Sequence, residues 1–170
     1  MELSPTAHVI LGMLAWRPMS GYDIKAVVDH STRFFWAASY GQIYPELSRL
    51  ADAGLVKGKA ESASARKRTV YTLTAAGRKA LTEWLGVEPR TFEYRDEGLL
   101  KLFFASAAPE TAVATLDAKR AFHEAKAKQL REIEAASKAE GYAGMVLRYG
   151  IESSEWMAGW CERESERLRK

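Results

Sequence analysis

Lys57, Lys59, Arg66, Lys67 and Arg68 fall within a dozen positions, interrupted by the single acid Glu61. Cations clustered on a flexible turn suit contact with the phosphates of a polyanion; the alternative is a solvated basic loop. Upstream, Ile43, Leu47 and Leu50 recur at spacings of four and three, which defines the buried face of a helix. Ser39, Tyr40, Gln42, Tyr44 and Arg49 are left for its other faces. Hydroxyls of Ser and Tyr donate to phosphates, Gln pairs with adenine in a major groove, and Arg binds phosphate or guanine. Tyr22 and Lys25, near the start of the preceding helix, are placed to brace the same backbone. The competing reading is a solvated face, with Tyr22 and Tyr44 tucked into a core.

Other chemistries have less to build on. His8, His30 and His123 lie far apart, with no i, i+4 histidine partner and no neighbouring cysteine, so no local metal motif exists. Cys161 reads as a small buried hydrophobe, not a sensor thiol, because no cation is clearly positioned to lower its pKa. No glycine-rich phosphate loop, H-E-x-x-H or G-x-S-x-G string occurs, and no catalytic dyad follows from spacing. An enzyme is not expected, and no cofactor is called for. Aromatic side chains are the remaining resource: Tyr149, Trp156 and Trp160 share one stretch of helix, with Trp16 and Phe103 as possible neighbours. Such stripes serve core packing, dimerisation or a ligand pocket.

The 170 residues suffice for one ordinary domain or two small ones, and 47% apolar with 28% charged residues is the balance of a folded globular chain. The net charge of +3 is unevenly spread. Residues 1–90 hold 12 basic and 8 acidic side chains (+4), and residues 91–170 hold 13 and 14 (−1). One cysteine permits no intrachain disulfide, and neither a signal peptide nor an apolar run near the length of a membrane span is present. A reducing cytoplasm is the expected location.

The elements that must position these residues begin with Ser4-Pro5, a cap and first-turn signal for a helix to about Trp16. Its apolar residues lie on more than one side, which predicts burial against a partner chain as well as its own domain. Ser20 with Asp23, and Ser39 with Gln42, are capping-box starts for a second and a third helix. Pro45 predicts a kink or late start in the third, and Gly54 its stop. Leu55–Ala60 and Arg68–Leu73 read as the strands of a hairpin, and Thr74 caps a fourth helix closed by Gly86. Residues 87–95, with Pro89 and no periodicity, mark the domain boundary. Beyond it a short apolar helix follows Asp96. A long one runs from Pro109 to about Glu140, with Val113, Leu116, His123, Ala127 and Leu130 approximating a heptad seam, and Gly141 ends it before a last helix to Leu168.

The expected fold is thus mainly α with a small two-stranded β-wing: a winged helix-turn-helix over residues 1–88 and a helical dimerisation and possible effector domain over 89–170. In a winged helix the third helix enters the major groove. The wording S-G-Y-D-I at 20–24, S-Y-G-Q-I-Y-P-E-L-S-R-L at 39–50, A-G-L-V at 53–56 and Y-T-L-T-A-A-G at 71–77 resembles the PadR family of bacterial transcriptional regulators. D-E-G-L-L-K-L-F-F at 96–104 is similar to the start of the longer C-terminal domain in its virulence-activator branch. The resemblance implies a homodimeric repressor on a pseudo-palindromic duplex, with release by a small aromatic or drug-like effector in many relatives. The alternative is a winged helix that docks a protein and binds no DNA. A dimerisation module ahead of a methyltransferase is disfavoured, since only about 80 residues follow, too few for a nucleotide-binding sheet.

Overall fold

The structure, a computed structural model, describes residues 3–61, 68–89, 94–137 and 139–170. They form two compact units, Met1–Arg90 and Thr91–Lys170. The first runs α1 (Pro5–Trp16), β1 (Met19–Ser20), α2 (Gly21–Asp29), a 3-10 turn (Thr32–Phe34), α3 (Tyr40–Asp52), β2 (Val56–Glu61), β3 (Arg68–Leu73) and α4 (Ala75–Leu85). Local chemistry sets the helix starts. Ser4 Oγ accepts from the Ala7 N–H at 3.0 Å with Pro5 in the first turn. Ser20 and Asp23 close a reciprocal capping box on α2. Gly54, at φ +69°, takes the left-handed turn that ends α3.

Ile10, Leu11, Ile24, Val28, Ile43, Leu47 and Leu50 are completely buried and make the core of this unit. The partner chain anticipated for α1 is not needed for that burial. The helix lies at the centre of its own unit, against α2, α3, α4 and β3, which cover Ala7, Ile10, Leu11, Met13 and Leu14 from several sides. Pro45 sits on the exposed side of α3, and the helix starts at Tyr40 with no delay, because the cap at Ser39 lies a full turn ahead of the lost N–H. The wing is three-stranded and antiparallel in the order β1-β3-β2. Met19 and Ser20 add the extra edge, paired with Tyr71 and Val70.

The second unit consists of α5 (Glu97–Phe103), 3-10 turns at Ala105–Ala107 and Pro109–Thr111, α6 (Ala112–Ser137) and α7 (Gly141–Leu168). The long helix therefore begins later than Pro109 and ends before Glu140. Gly141, at φ +60°, reverses the chain, and α6 and α7 pack as an antiparallel pair. Leu116, Ala127 and Leu130 of the expected seam are buried within this unit, as are Ile151, Ser154 and Cys161 of α7. Arg120–Glu162 at 3.0 Å and Arg131–Glu155 at 2.5 Å staple the pair along its edges.

Asp96 ties α5 to α6. One carboxylate oxygen accepts from the Leu99 N–H at 2.9 Å, capping α5, and the other accepts from Lys119 Nζ at 2.5 Å and from the Tyr94 hydroxyl at 3.2 Å. Burial works to raise the Asp96 pKa, but the bonds from Lys119 and Leu99 outweigh it and hold the carboxyl below the usual range. Asp96→Ala is expected to cost about 2 kcal/mol, a lost cap plus a lost charge-assisted bond. Because the folded-state pKa is depressed, that contribution is present at neutral pH and lost as pH falls through a value below the ordinary carboxylate pKa of about 3.9. Urea unfolding of wild type and variant should differ at pH 7 and converge in strong acid; a constant difference would count against the ion pair.

Candidate nucleic-acid interface

The start of α2 is the hinge point of the site. An added Cβ at Gly21 would lie 2.6 Å from Tyr44 Cε1, so only glycine lets the Tyr44 ring rest on the α2 backbone. Tyr44 in turn stacks on Tyr40, with ring centroids 6.1 Å apart and planes 20° from parallel. Lys25 Nζ lies 5.4 Å from the Tyr40 ring centroid, a cation–π contact from α2 back to α3. Both tyrosines remain about half exposed, at 44% and 49%. They are not core residues. Tyr22 is likewise exposed.

On α3, Ile43, Leu47 and Leu50 face inward, and Gly41, Gln42, Pro45 and Ser48 face out. Gln42 Oε1 accepts from the Ser39 N–H at 2.9 Å and from its hydroxyl at 3.2 Å, so its carboxamide oxygen is engaged in capping while its NH₂ group stays available. Arg49 donates from Nε and from a terminal nitrogen to Glu46, a forked contact three residues away. The Arg49 guanidinium is thereby held along the helix.

Across β2 and β3, Lys57 opposes Thr72, Lys59 opposes Val70 and Glu61 opposes Arg68. Directly opposed residues of an antiparallel pair project to the same side, which places Lys57, Lys59 and Arg68 on one face of the wing. Arg68 reaches from there to Asp23 at 2.7 Å, joining the wing to the α2 cap. Burial works against the Asp23 charge. The two hydrogen bonds from Ser20, with Arg68 and Arg17, prevail and keep its pKa lowered. Among the described residues Lys57 and Lys59 have no ion-pair partner. Arg66 and Lys67 lie outside the described residues. A continuous chain of contacts thus runs from the wing through α2 to the aromatic pair on α3. It presents hydroxyls, an amide and cations, a composition suited to phosphates and base edges.

The aromatic residues of the second unit are dispersed. Tyr149 and Trp156 are exposed on the side of α7 turned away from α6, Trp160 is half-buried, and Phe103 is exposed on α5; no ring contact joins them among the described residues. Trp16 is exposed at the end of α1 in the first unit. Cys161 is buried, and burial pushes its thiol pKa up. His8 stacks on Trp84 at 4.3 Å, and His30 Nδ1 bonds the Ala26 carbonyl, both structural contacts. Among the described residues no group of His, Cys, Asp and Glu is arranged to hold a metal ion.

Residues 10–83 match the transcriptional regulator PadR-like family, and residues 94–169 match the virulence activator alpha C-terminal region. The first unit thus carries a PadR-like domain and the second a virulence activator alpha C-terminal domain. The negative transcriptional regulator PadR of Bacillus subtilis is 36% identical over 101 residues, 58% of this chain and 56% of that protein, so the match spans about half of that relative. In structure, Bacillus subtilis PadR in complex with operator DNA superposes with a TM-score of 0.84 at 27% identity, covering 95% of this chain and 98% of that one. The same protein in complex with p-coumaric acid gives 0.80 at 26% identity, over 99% of each chain. The virulence activator AphA of Vibrio cholerae gives 0.75 at 29% identity, over 96% and 98%. These superpositions cover both units. No described helix of this chain is long and apolar enough to cross a membrane.

The carboxylates Asp23, Asp29 and Glu46, and the contact surface offered by Gly21, touch the candidate DNA-binding residues, and of these only Asp23 stands out in the sequence, as a cap. Lys25/Asp29 and Glu46/Arg49 were readable as i, i+4 and i, i+3 pairs on helices. The Gly21–Tyr44 contact has no local signal.

Proposed function

We propose that this PadR-like protein is a cytoplasmic, homodimeric, sequence-specific DNA-binding transcriptional regulator, acting as a repressor without enzymatic activity. Residues 1–88 serve as the winged-helix reader and residues 89–170 as the dimerisation and effector domain. The observation that carries the reading is the array of Lys25, Tyr40 and Tyr44 contiguous with a wing whose Lys57 and Lys59 are unpaired. The operator complex of the Bacillus subtilis relative supports it. In this reading Tyr22, Lys25, Ser39, Lys57, Lys59 and Arg68 position the duplex, and Tyr40, Gln42, Tyr44 and Arg49 face the groove. The two-fold dimer places one α3 in each half-site, with centres about 34 Å or a multiple apart.

Selection of bound duplexes from a random pool, followed by anisotropy titration across a salt series, tests this. Tyr44→Ala is expected to weaken operator binding by about 1–3 kcal/mol, while the double variant Lys57→Ala/Lys59→Ala should lower the log–log salt slope by about 2. Wild-type affinity for every duplex that does not fall with salt would favour a protein-docking winged helix instead.

The effector is a planar aromatic compound, in line with the p-coumaric acid complex of the same relative. Tyr149, Trp156 and Trp160 of α7, with Phe103 of α5, form its binding surface on the second unit, on the same side of α7 that the proposed subunit interface uses. A phenolic acid that releases DNA should quench tryptophan fluorescence and reduce operator affinity by about 1–3 kcal/mol. Its potency should fall in Trp156→Ala and Trp160→Ala. Unchanged potency in both variants would place the effector elsewhere.

A further inference from the structure

Three of the five described cations assigned to the DNA face are each held by a carboxylate of the same face: Lys25 by Asp29, Arg49 by Glu46 at 2.5 Å, and Arg68 by Asp23 at 2.7 Å. These acids are not loosely solvated. The Asp23, Asp29 and Glu46 side chains are exposed by only 22%, 34% and 12%. Asp23 has a separate duty as the α2 cap. Neither Asp29 nor Glu46 caps a helix; each pairs along its own helix, and Glu46 also favours the charged form of His8. Asp29 is the last residue of α2, where a negative charge opposes the helix dipole and offsets part of what its i, i+4 pairing with Lys25 adds to the helix. Lys25, hydrogen-bonded to Asp29, holds that carboxyl below the usual carboxylate range, so it is ionised at neutral pH.

A phosphate approaching Lys25 or Arg49 must share the cation with a fixed carboxylate and is repelled by it. We propose that Asp29 and Glu46 are specificity-determining residues of the DNA-binding face, which suppress binding to arbitrary phosphate backbone and so widen the gap between operator and non-operator DNA. The inference rests on the DNA-binding reading above. Non-specific affinity is almost wholly phosphate contact and counterion release, whereas an operator adds contacts to base edges. Removing either acid therefore strengthens the non-specific term more than the specific one, and the ratio between them contracts. Lys57 and Lys59, which no described acid restrains, supply the residual salt-dependent attraction.

The test compares wild type, Asp29→Asn, Glu46→Gln and the double variant on a random-sequence duplex and on the selected operator, by anisotropy from low to moderate salt. Glu110→Gln, which removes one exposed acid from the second unit, controls for net charge. Each single variant should bind the random duplex about threefold to tenfold more tightly at low salt, with a salt slope steeper by about 1. Operator affinity should rise by less, and Glu110→Gln should leave both unchanged. If wild type binds duplex and the folded variants bind the random duplex no better, the inference is overturned while the DNA-binding reading stands. If wild type binds no duplex at any salt, both fall.

Discussion

Gly77→Ala is expected to lower the stability of the first unit by about 3 kcal/mol, and with it the melting temperature by about 10–20 °C. On propensity alone the substitution should help, since alanine is favoured over glycine in a helix by about 1 kcal/mol. Sterics decide otherwise. An added Cβ at Gly77 would sit 2.1 Å from the Leu55 carbonyl oxygen and 2.8 Å from Leu73 Cδ1. The carbonyl cannot move aside cheaply: it accepts from the Thr74 N–H at 3.1 Å and from the Thr74 hydroxyl at 2.9 Å. That same hydroxyl accepts from the Gly77 N–H at 3.0 Å to cap α4. Relief of the clash therefore breaks either the cap or the seat of the wing on α4. Gly12→Ala provides the contrast, because nothing lies within 4 Å of its added Cβ. There the propensity gain should appear unopposed, raising stability by up to about 1 kcal/mol. Thermal unfolding followed by circular dichroism reads both, and a melting temperature unchanged in Gly77→Ala would sink the argument.

The same contrast separates what could be read from the sequence from what could not. Helix starts rest on chemistry within three or four residues, so Ser4-Pro5, Ser20 with Asp23, Ser39 with Gln42, Thr74 and Asp96 all cap the helices expected of them. Strand β1 has only two residues and no pattern of its own; its existence depends on Tyr71 and Val70, far along the chain. The 3-10 turns at Ala105–Ala107 and Pro109–Thr111 lie in an alanine-rich stretch whose composition reads equally well as α-helix. In α1, apolar residues on several sides announced full burial, but periodicity does not say whose atoms provide it. The site divides in the same way. Its cations and tyrosines were visible as residue types, whereas the Arg68–Asp23 pair, 45 residues apart, and the Tyr44 ring on Gly21 are products of the fold.

The double variant Met145→Glu/Tyr149→Glu is expected to convert the proposed dimer to monomer and to weaken operator binding by about 100-fold or more. Tyr142, Met145, Tyr149 and Trp156 follow the three-and-four spacing of a heptad on α7, and all are exposed. The opposite side, with Gly144, Ile151, Ser154, Cys161 and Ser165, is buried within the second unit. Soluble proteins rarely leave an apolar stripe of several hundred Å² in water, and a self-complementary helix face is the ordinary material of a two-fold interface. The α6 seam does not compete for this role, because Leu116, Ala127 and Leu130 are already covered. Deleting residues 142–170 would be a poor test, since it would strip α6 of its partner and unfold the unit. Two glutamates on the far side of α7 place charges against their symmetry mates and leave the α6 packing intact. Helical circular dichroism should hold while light scattering reports half the mass. Operator affinity follows because two tethered half-site contacts gain about 10²–10⁴ over one through effective concentration, and a monomer forfeits that gain. A variant that stays dimeric with full operator affinity would show that α7 is not the interface.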